Sequence, residues 1–271
     1  MTNKKVVIVT GAGGGIGGAI AERFAKEEFL VVLADINEDH LQEKKAFIEK
    51  KYGTQCFSCP GDLSDSEYIN RLIEETIRQW GRIDVLVNNA VWRTIETMRT
   101  IDIQTWEKTL RICLTAPAFL SQKAAAQMEK MSIPGVIINL SSVMSKRAGG
   151  NSPAYIACKG ALESLTYELA VLYGPKGIRV VSVNPGNIET ELSNDYTDET
   201  GNNISDKLKK HVSDLTPLQR GGRPEEIANV CYWLSSDQAS YITGTSVLVD
   251  GGLQHNFNAY SIKKLNLNKE F

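Results

Sequence analysis

Two rhythms of apolar residues run along the chain. Short runs rich in Val, Ile and Leu recur at 4–10, 29–36, 54–59, 83–90, 135–142, 177–186 and 245–252. Between them lie segments whose apolar residues return every three or four positions, at 16–28, 38–53, 65–80, 103–131, 153–173 and 223–236. The first rhythm predicts buried strands and the second predicts helices. Gly53 and Gly81 stand where the second and third helices stop, and Pro224 stands near the start of the last. Strands alternating with helices, and apolar on both faces, predict a parallel sheet covered on both sides. Two stretches break the pattern. Residues 189–216 are polar with weak helical periodicity, and 253–271 are polar with no clear element. No linker rich in Pro, Gly or Ser divides the chain, so the expectation is one domain over 1–252 and an extension over 253–271.

Composition narrows the partners. The chain is 42% hydrophobic and 23% charged, with a net charge of −2, which gives no electrostatic reason to expect nucleic acid or an anionic membrane. The basic cluster at 207–211 reads as a solvated helix face. No apolar run reaches the roughly 18 residues of a membrane helix. The apolar start is only Val6–Val9, too short for a signal peptide, and a cytoplasmic protein is expected. Five cysteines argue against a disulfide framework. Cys56 and Cys59 form a C-x-x-C, but in a strand their odd spacing sends them to opposite faces. No second pair completes a metal site, so no metal is expected.

The first strand runs into "TGAGGGIGG", where two glycine registers compete. Gly13, Gly15 and Gly18 match the regular G-x-G-x-x-G of dinucleotide-binding turns. Gly11, Gly15 and Gly17 fit the strand boundary better, with Gly11 at the turn and the others at the helix start. Either register lets the backbone approach a pyrophosphate at a helix N-terminus. Asp35 ends the second strand. Its carboxylate suits the adenosine ribose hydroxyls and repels a 2′-phosphate. Neither Gly14 nor Ile36 nor Asn37 supplies a compensating cation, so the residues favour NAD over NADP.

Only three histidines occur in the chain, and the candidate for acid–base work is a tyrosine. Pro153 suits a first helical turn and Ser152 the cap before it. Tyr155 and Lys159, at i and i+4, then project from one face. An ammonium beside a phenol favours the ionised form. Tyr155 thus reads as a general base toward an alcohol, and as a general acid in the reverse direction.

Five motifs in order carry a family likeness: "TGAGGGIG", "NNA" at 88–90, "SS" at 141–142, "YIACK" at 155–159 and "NPG" at 184–186. With "VDGG" after the last strand, the chain resembles the short-chain dehydrogenase/reductase family over roughly residues 5–252. The resemblance implies a doubly wound (Rossmann) α/β fold with a seven-stranded parallel sheet. It implies hydride transfer between a nicotinamide and an alcohol or carbonyl at the carboxyl ends of the strands. Ser142 would hydrogen-bond the substrate oxygen, and Lys159 would bind the nicotinamide ribose. Gly11, Gly15, Ile16 and Gly17 would hold the phosphates. Asp62 and Leu63 would meet the adenine. Asn88, Asn89 and Ala90 would line the cleft, and Pro185, Gly186, Ile188 and Thr190 would meet the carboxamide end. The stretch 189–216 would be a substrate lid, and the assembly a homotetramer.

The chain departs from the family in places. Cys113 stands where the family carries an asparagine that holds a bend whose carbonyl binds a water leading to the lysine. Cys113 also lies on an apolar helical stripe, where a small buried residue is expected. Pro117 has no N–H, which frees the carbonyl of Cys113 for such a water. Val91 replaces a usual glycine and narrows the cleft. Trp92, Arg93, Met144, Lys146 and Arg147 fall near the pocket mouth, where the cations could meet a substrate anion or simply be solvated. The polar lid favours a small polar substrate: a sugar, polyol or hydroxy acid. Two alternatives stay open, an enzyme like 3-oxoacyl-carrier-protein reductases and a weakly catalytic NAD-binding regulatory protein. The extension is expected to pack on a neighbouring subunit or to be disordered.

Overall fold

The computed structural model describes residues 3–198 and 200–271. Seven strands form one sheet: β1 Val6–Thr10, β2 Leu30–Asp35, β3 Cys56–Pro60, β4 Val85–Asn88, β5 Val136–Leu140, β6 Arg179–Pro185 and β7 Thr245–Val249. Every neighbouring pair is parallel, in the order β3-β2-β1-β4-β5-β6-β7. The chain steps outward from β1 to β3, returns across β1 to β4, and steps outward again to β7. That reversal opens a crevice above the carboxyl ends of β1 and β4, the place where doubly wound sheets bind ligands.

Period-two alternation of the strand residues builds two cores. Val7, Val9, Val31 and Leu33 face one side with Ile20, Phe24, Leu41 and Ile227. Val6, Ile8, Val32 and Leu86 face the other with Leu72, Leu120, Met128 and Leu169. The first side is covered by α1 Gly15–Lys26, α2 Glu38–Tyr52 and a later helix, Pro224–Ser235. The second is covered by α3 Ser66–Trp80 and two further helices named below. Cys56 lies in the first core and Cys59 in the second, so the C-x-x-C is split across the sheet. Burial pushes both thiols up to about 12.

Local signals set the helix ends. Asn37, Asp65 and Asp102 accept from backbone amides of the helices they precede. Gly53 and Gly81 close α2 and α3 with positive φ. The helix expected over 103–131 is less regular: α4 Ile103–Leu110, a π turn Arg111–Thr115, then α5 Ala116–Lys130. Pro117 lacks the amide that would serve the carbonyl four residues earlier. The chain widens, and Ala116 N donates to Arg111 O across five residues.

After α6 Pro153–Tyr173, the polar stretch holds a 3₁₀ turn Glu191–Asn194 and α7 Ser205–Leu215. Pro224–Ser235 is α8, and the extension forms α9 Tyr260–Asn266. The extension is not a disordered tail: it folds back on α7 of its own chain, with Ser261 bonded to Asp214. Its polar sequence hid this because the ties are side-chain hydrogen bonds, which leave no apolar period. Among the described residues no helix is long and apolar enough to cross a membrane.

Candidate active site

The crevice begins at the β1–α1 turn. Gly11 and Gly15 have φ of +65° and +53°, a region that L side chains rarely adopt. A Cβ on Gly17 would lie 2.0 Å from the carbonyl oxygen of Gly11. A Cβ on Gly14 would meet nothing, one on Gly13 only side chains at 3.0 Å or more, and one on Gly18 the Lys44 side chain at 3.1 Å and Ala12 O at an ordinary 3.5 Å. The required glycines are therefore 11, 15 and 17, the register that starts at the strand end. This is a cradle that a side chain would fill, at the N-terminus of α1, and it fits a pyrophosphate. Ile16 between them packs partly on the first core.

Neighbouring strands stitch the turn in place. Asn89 Nδ2 donates to Thr10 O at 2.9 Å and to Gly11 O at 3.3 Å. The amides of Asn89 and Ala90 both donate to Thr10 Oγ1, at 2.9 and 3.0 Å. Asn88 points the other way. It is buried, donating to Ser121 Oγ and Asn139 Oδ1, so its expected place along the cleft is corrected. Successive strand residues face opposite sides, and Asn88 takes the interior one. Thr10, which ties the two strand ends together, escaped the sequence reading because a threonine at a strand end is unremarkable.

Asp35 faces the same turn. Its Oδ2 accepts from Gly13 N and its Oδ1 from Asn37 N, both at 3.0 Å. The next side chain, Ile36, is exposed, so no cation flanks the carboxylate in sequence. Asp62 shapes the following loop by accepting from Ser64 N at 2.8 Å. Leu63 buries its side chain in the second core, which leaves only its main chain for a ligand. Beyond β6, Gly186 sits so close to Asp250 that a Cβ would lie 2.8 Å from it. Buried Pro185 ends the strand, and Ile188 packs in the first core. The side chain of Thr190 lies 3.6 Å from where a Cβ of Gly15 would stand. The start of the 189–216 stretch thus meets the glycine turn directly.

The opposite wall carries Ser142, Tyr155 and Lys159. Pro153 opens α6, as its sequence suggests, but Ser152 does not cap it with its side chain. Its hydroxyl donates to Asn151 O and Thr94 O instead. Ser142 follows β5 and accepts from Met144 N at 3.1 Å. Lys159 is only 3% exposed. Its ammonium donates to Leu140 O and stands 5.4 Å from the centre of the Tyr155 ring. Ser141 Oγ donates to the carbonyl of Lys159 at 2.9 Å, which ties β5 to α6 between the two.

One turn beyond Lys159, Glu163 is 4% exposed. Its carboxylate accepts from Asn184 Nδ2 at 2.6 Å, Ser246 Oγ at 3.2 Å and Ser141 Oγ at 3.4 Å, and Lys146 Nζ lies at 3.2 Å. Burial raises this carboxyl, but hydrogen bonds from Ser145, Lys146 and Asn184 outweigh it and hold the group below its usual range. The sequence reading missed it, and the signal that could have found it is its place as third in the series 155, 159, 163 on one helical face.

Around the departures, Cys113 forms a small buried cluster with Ile112 and Cys158, against which Val91 and Trp92 pack. Val91 rests part of its side chain on this cluster and stays half-buried. Cys113 Sγ donates to Trp92 O at 3.3 Å and accepts from Trp92 N at 3.5 Å. Burial pushes its thiol up, so it keeps its proton. The cations near the mouth have protein partners: Lys146 meets Glu163, Arg93 donates to Tyr196 Oη at 3.3 Å, and Arg147 donates to main-chain carbonyls of the extension. They are neither bare anion sites nor simply solvated.

Comparisons agree with this architecture. A family model described as enoyl-(acyl carrier protein) reductase matches residues 11–254. Glucose 1-dehydrogenase 2 of Bacillus subtilis is 36% identical over 92% of this chain and 94% of its own. Meso-2,3-butanediol dehydrogenase of Serratia marcescens is 33% identical over 92% and 94%. The crystal structure of L-sorbose reductase from Gluconobacter frateurii, complexed with NADPH and L-sorbose, superposes with a TM-score of 0.86 at 30% identity. It covers 94% of this chain and 98% of its own. The chain belongs to the short-chain dehydrogenase/reductase family and is an oxidoreductase that acts on CH–OH groups.

Proposed function

We propose that the protein interconverts a small polar secondary alcohol and its ketone with NAD as cofactor. The observation that carries this reading is the buried Lys159 ammonium beside the Tyr155 ring, on the wall that also holds Ser142. When bound, the nicotinamide cofactor accepts a hydride from the carbinol carbon or returns it to the carbonyl. Gly11, Gly15, Ile16 and Gly17 would receive its phosphates, and Asp35 its adenosine ribose. Asp62, Leu63, Asn89 and Ala90 would line the adenosine side, and Pro185, Gly186, Ile188 and Thr190 the carboxamide side.

Tyr155 Oη takes the proton from the substrate hydroxyl in oxidation and gives it back in reduction. Ser142 Oγ hydrogen-bonds the same oxygen while charge develops on it. Lys159 holds positive charge next to the phenol and offers donors to the ribose hydroxyls. The 189–216 stretch covers the substrate, and its polar composition suits a sugar, polyol or hydroxy acid. The named relatives act on sugars or a diol by their own descriptions, which supports that substrate class here. A homotetramer fits the apolar Val171 and Leu172 that α6 exposes.

The cofactor choice rests on Asp35, whose carboxylate opposes a 2′-phosphate. The L-sorbose reductase is described with NADPH, so cofactor choice is part of the test. Wild type and Tyr155→Phe are assayed on a panel of polyols, sugars and hydroxy acids with NAD⁺ and NADP⁺. Turnover should favour NAD⁺, and Tyr155→Phe should lose about 10²–10⁴ in kcat while still binding NAD⁺. Asp35→Ala should narrow the cofactor preference. Undiminished turnover in Tyr155→Phe, or a wild-type preference for NADP⁺, would sink the corresponding half of the reading.

A further inference from the structure

Asn256 joins parts of the molecule that are far apart in sequence. Its main-chain carbonyl accepts from Arg147 Nη1 at 3.2 Å, and the same nitrogen donates to Leu253 O. Its Nδ2 donates at 2.6 Å to the carbonyl of Leu215, the last residue of α7. Its Oδ1 accepts from Lys263 Nζ of α9 at 2.7 Å. Beside it, the carboxylate of Asp214 accepts from Ser261 N at 2.8 Å and Ser261 Oγ at 2.5 Å. Arg147 lies on the loop that begins with Ser142 and its short 3₁₀ turn, Val143–Ser145. The extension is therefore tied at one end to the loop of Ser142 and at the other to the last turn of α7.

These ties join the few others that fix α7, from Tyr196 N to Ser205 Oγ at its start and from Lys209 Nζ to Asn194 Oδ1 along it. Only Ser205 among its residues is fully buried, and its apolar residues Leu208, Val212 and Leu215 share one face that is only half-buried, so the apolar anchorage of the helix is partial. The last carbonyls of any helix lack intrahelical partners, and Asn256 supplies one of them. The extension also stiffens itself. Lys263 Nζ lies 4.0 Å from the centre of the Tyr260 ring and 5.3 Å from that of Phe271, and the two rings meet edge-on at 5.6 Å.

We propose that the C-terminal segment is an intramolecular strap, with Asn256 and Arg147 as positioning residues that hold α7 against the Ser142 loop for substrate binding. The proposal rests on reading 189–216 as the cover of the substrate site. A segment held by a few polar ties opens at low free-energy cost. Cutting a tie lowers the fraction of molecules with α7 in place, and apparent substrate affinity falls by that fraction. Tyr155 and the glycine turn keep their own contacts, so chemistry and cofactor binding are spared.

Hydrogen–deuterium exchange on the free, full-length enzyme tests this without any substrate. Asn256→Ala and Ser261→Ala should speed exchange at 205–215. Arg147→Ala should speed it at 143–150 and also at 205–215, although its hydrogen bonds go to Leu253 and Asn256. Residues 6–26 should exchange as in wild type in all three. With the best alcohol from the panel, KM should rise by about fivefold or more, with kcat and the Kd for NAD⁺ within about twofold of wild type. Exchange that rises only at 143–150 in Arg147→Ala overturns the strap, and so does faster exchange at 205–215 with unchanged KM. Ser261 is exposed, so its variant keeps the test readable should Asn256→Ala fail to fold. If no alcohol turns over, the functional reading falls on its own, and the remote effect of Arg147→Ala on 205–215 still decides the strap.

Discussion

The two ends of the active-site crevice are built from different materials. At the cofactor end, the β1–α1 turn is tied down by Thr10 and Asn89, and buried Gly17 at the start of α1 packs so tightly on it that there is no room for a methyl group. At the end we propose for the substrate, the described residues of 189–216 and 253–271 are mostly exposed or half-buried and held by side-chain hydrogen bonds. Both ends are rich in hydrogen bonds. They differ in burial, and burial decides which of them tolerates change. A buried backbone contact has nowhere to move, whereas an exposed polar contact can be exchanged for water.

The strongest way to break the contrast is Gly17→Ala. The new Cβ would sit 2.0 Å from Gly11 O and 2.5 Å from Asn89 Nδ2, and neither can yield without moving the turn. Overpacking of this kind costs about 1–3 kcal/mol. We expect a Tm lower by about 5 °C and loss of measurable NAD⁺ binding by calorimetry. Gly14→Ala is the paired control. Gly14 has an extended backbone, with φ −166°, and open space around its Cβ position, so its Tm should stay within about 1 °C of wild type. Equal behaviour of the two variants would remove the steric account of the turn.

How legible each end was in the sequence follows the same division. The sheet, its helices and the glycine turn announce themselves through apolar period and through Gly11, Gly15 and Gly17, whose backbone needs leave few alternatives. Tyr155 and Lys159 were readable because i and i+4 share a helical face. Asn88 was misplaced because adjacent strand residues face opposite sides, and a motif does not say which. Ser152 was misread because a cap position does not fix where its hydroxyl turns. The helix in the extension, and its ties to α7, were invisible because polar contacts distant in sequence carry no period.

A second effect, on stability alone and sparing NAD⁺ binding, comes from Glu163, which brings the wall of Tyr155 closer to the glycine turn in character. It is buried like Gly17 but held by polar contacts like the 189–216 stretch. Glu163→Gln keeps the shape and removes the charge facing Lys146, Asn184 and Ser246. Charge-assisted hydrogen bonds of this kind contribute about 1.5–3 kcal/mol each, so denaturant unfolding should show a loss of that order. The pH dependence has a definite sign. The folded carboxyl lies below its ordinary range, so its stabilisation is complete above the unfolded value of about 4.3 and is lost as pH falls through the lower folded value. The stability gap between wild type and Glu163→Gln should be flat from about pH 8 to 5 and close below about pH 4. A gap that widened in acid would contradict this assignment.

The smallest effect sharpens the contrast most. Asp198, in the polar 189–216 stretch, accepts from Thr200 N at 2.9 Å, Thr200 Oγ1 at 2.7 Å and Asn202 N at 3.0 Å. These bonds are as short as those that hold the glycine turn, and Asn202 N donates across a turn that Gly201 completes with φ +86°. By hydrogen-bond count, Asp198→Ala should then be as harmful as any change at the cofactor end. By burial it should be mild, because Asp198, Thr200 and Asn202 are all exposed and water replaces what the carboxylate gave. We expect a Tm shift within about 2 °C and unchanged affinity for NAD⁺. The bonds from Thr200 and Asn202 also hold the Asp198 carboxyl below its ordinary range, so what little it contributes is present near neutral pH and fades in acid. A Tm loss as large as that of Gly17→Ala would mean that hydrogen bonds, and not enclosure, separate the two ends of the crevice.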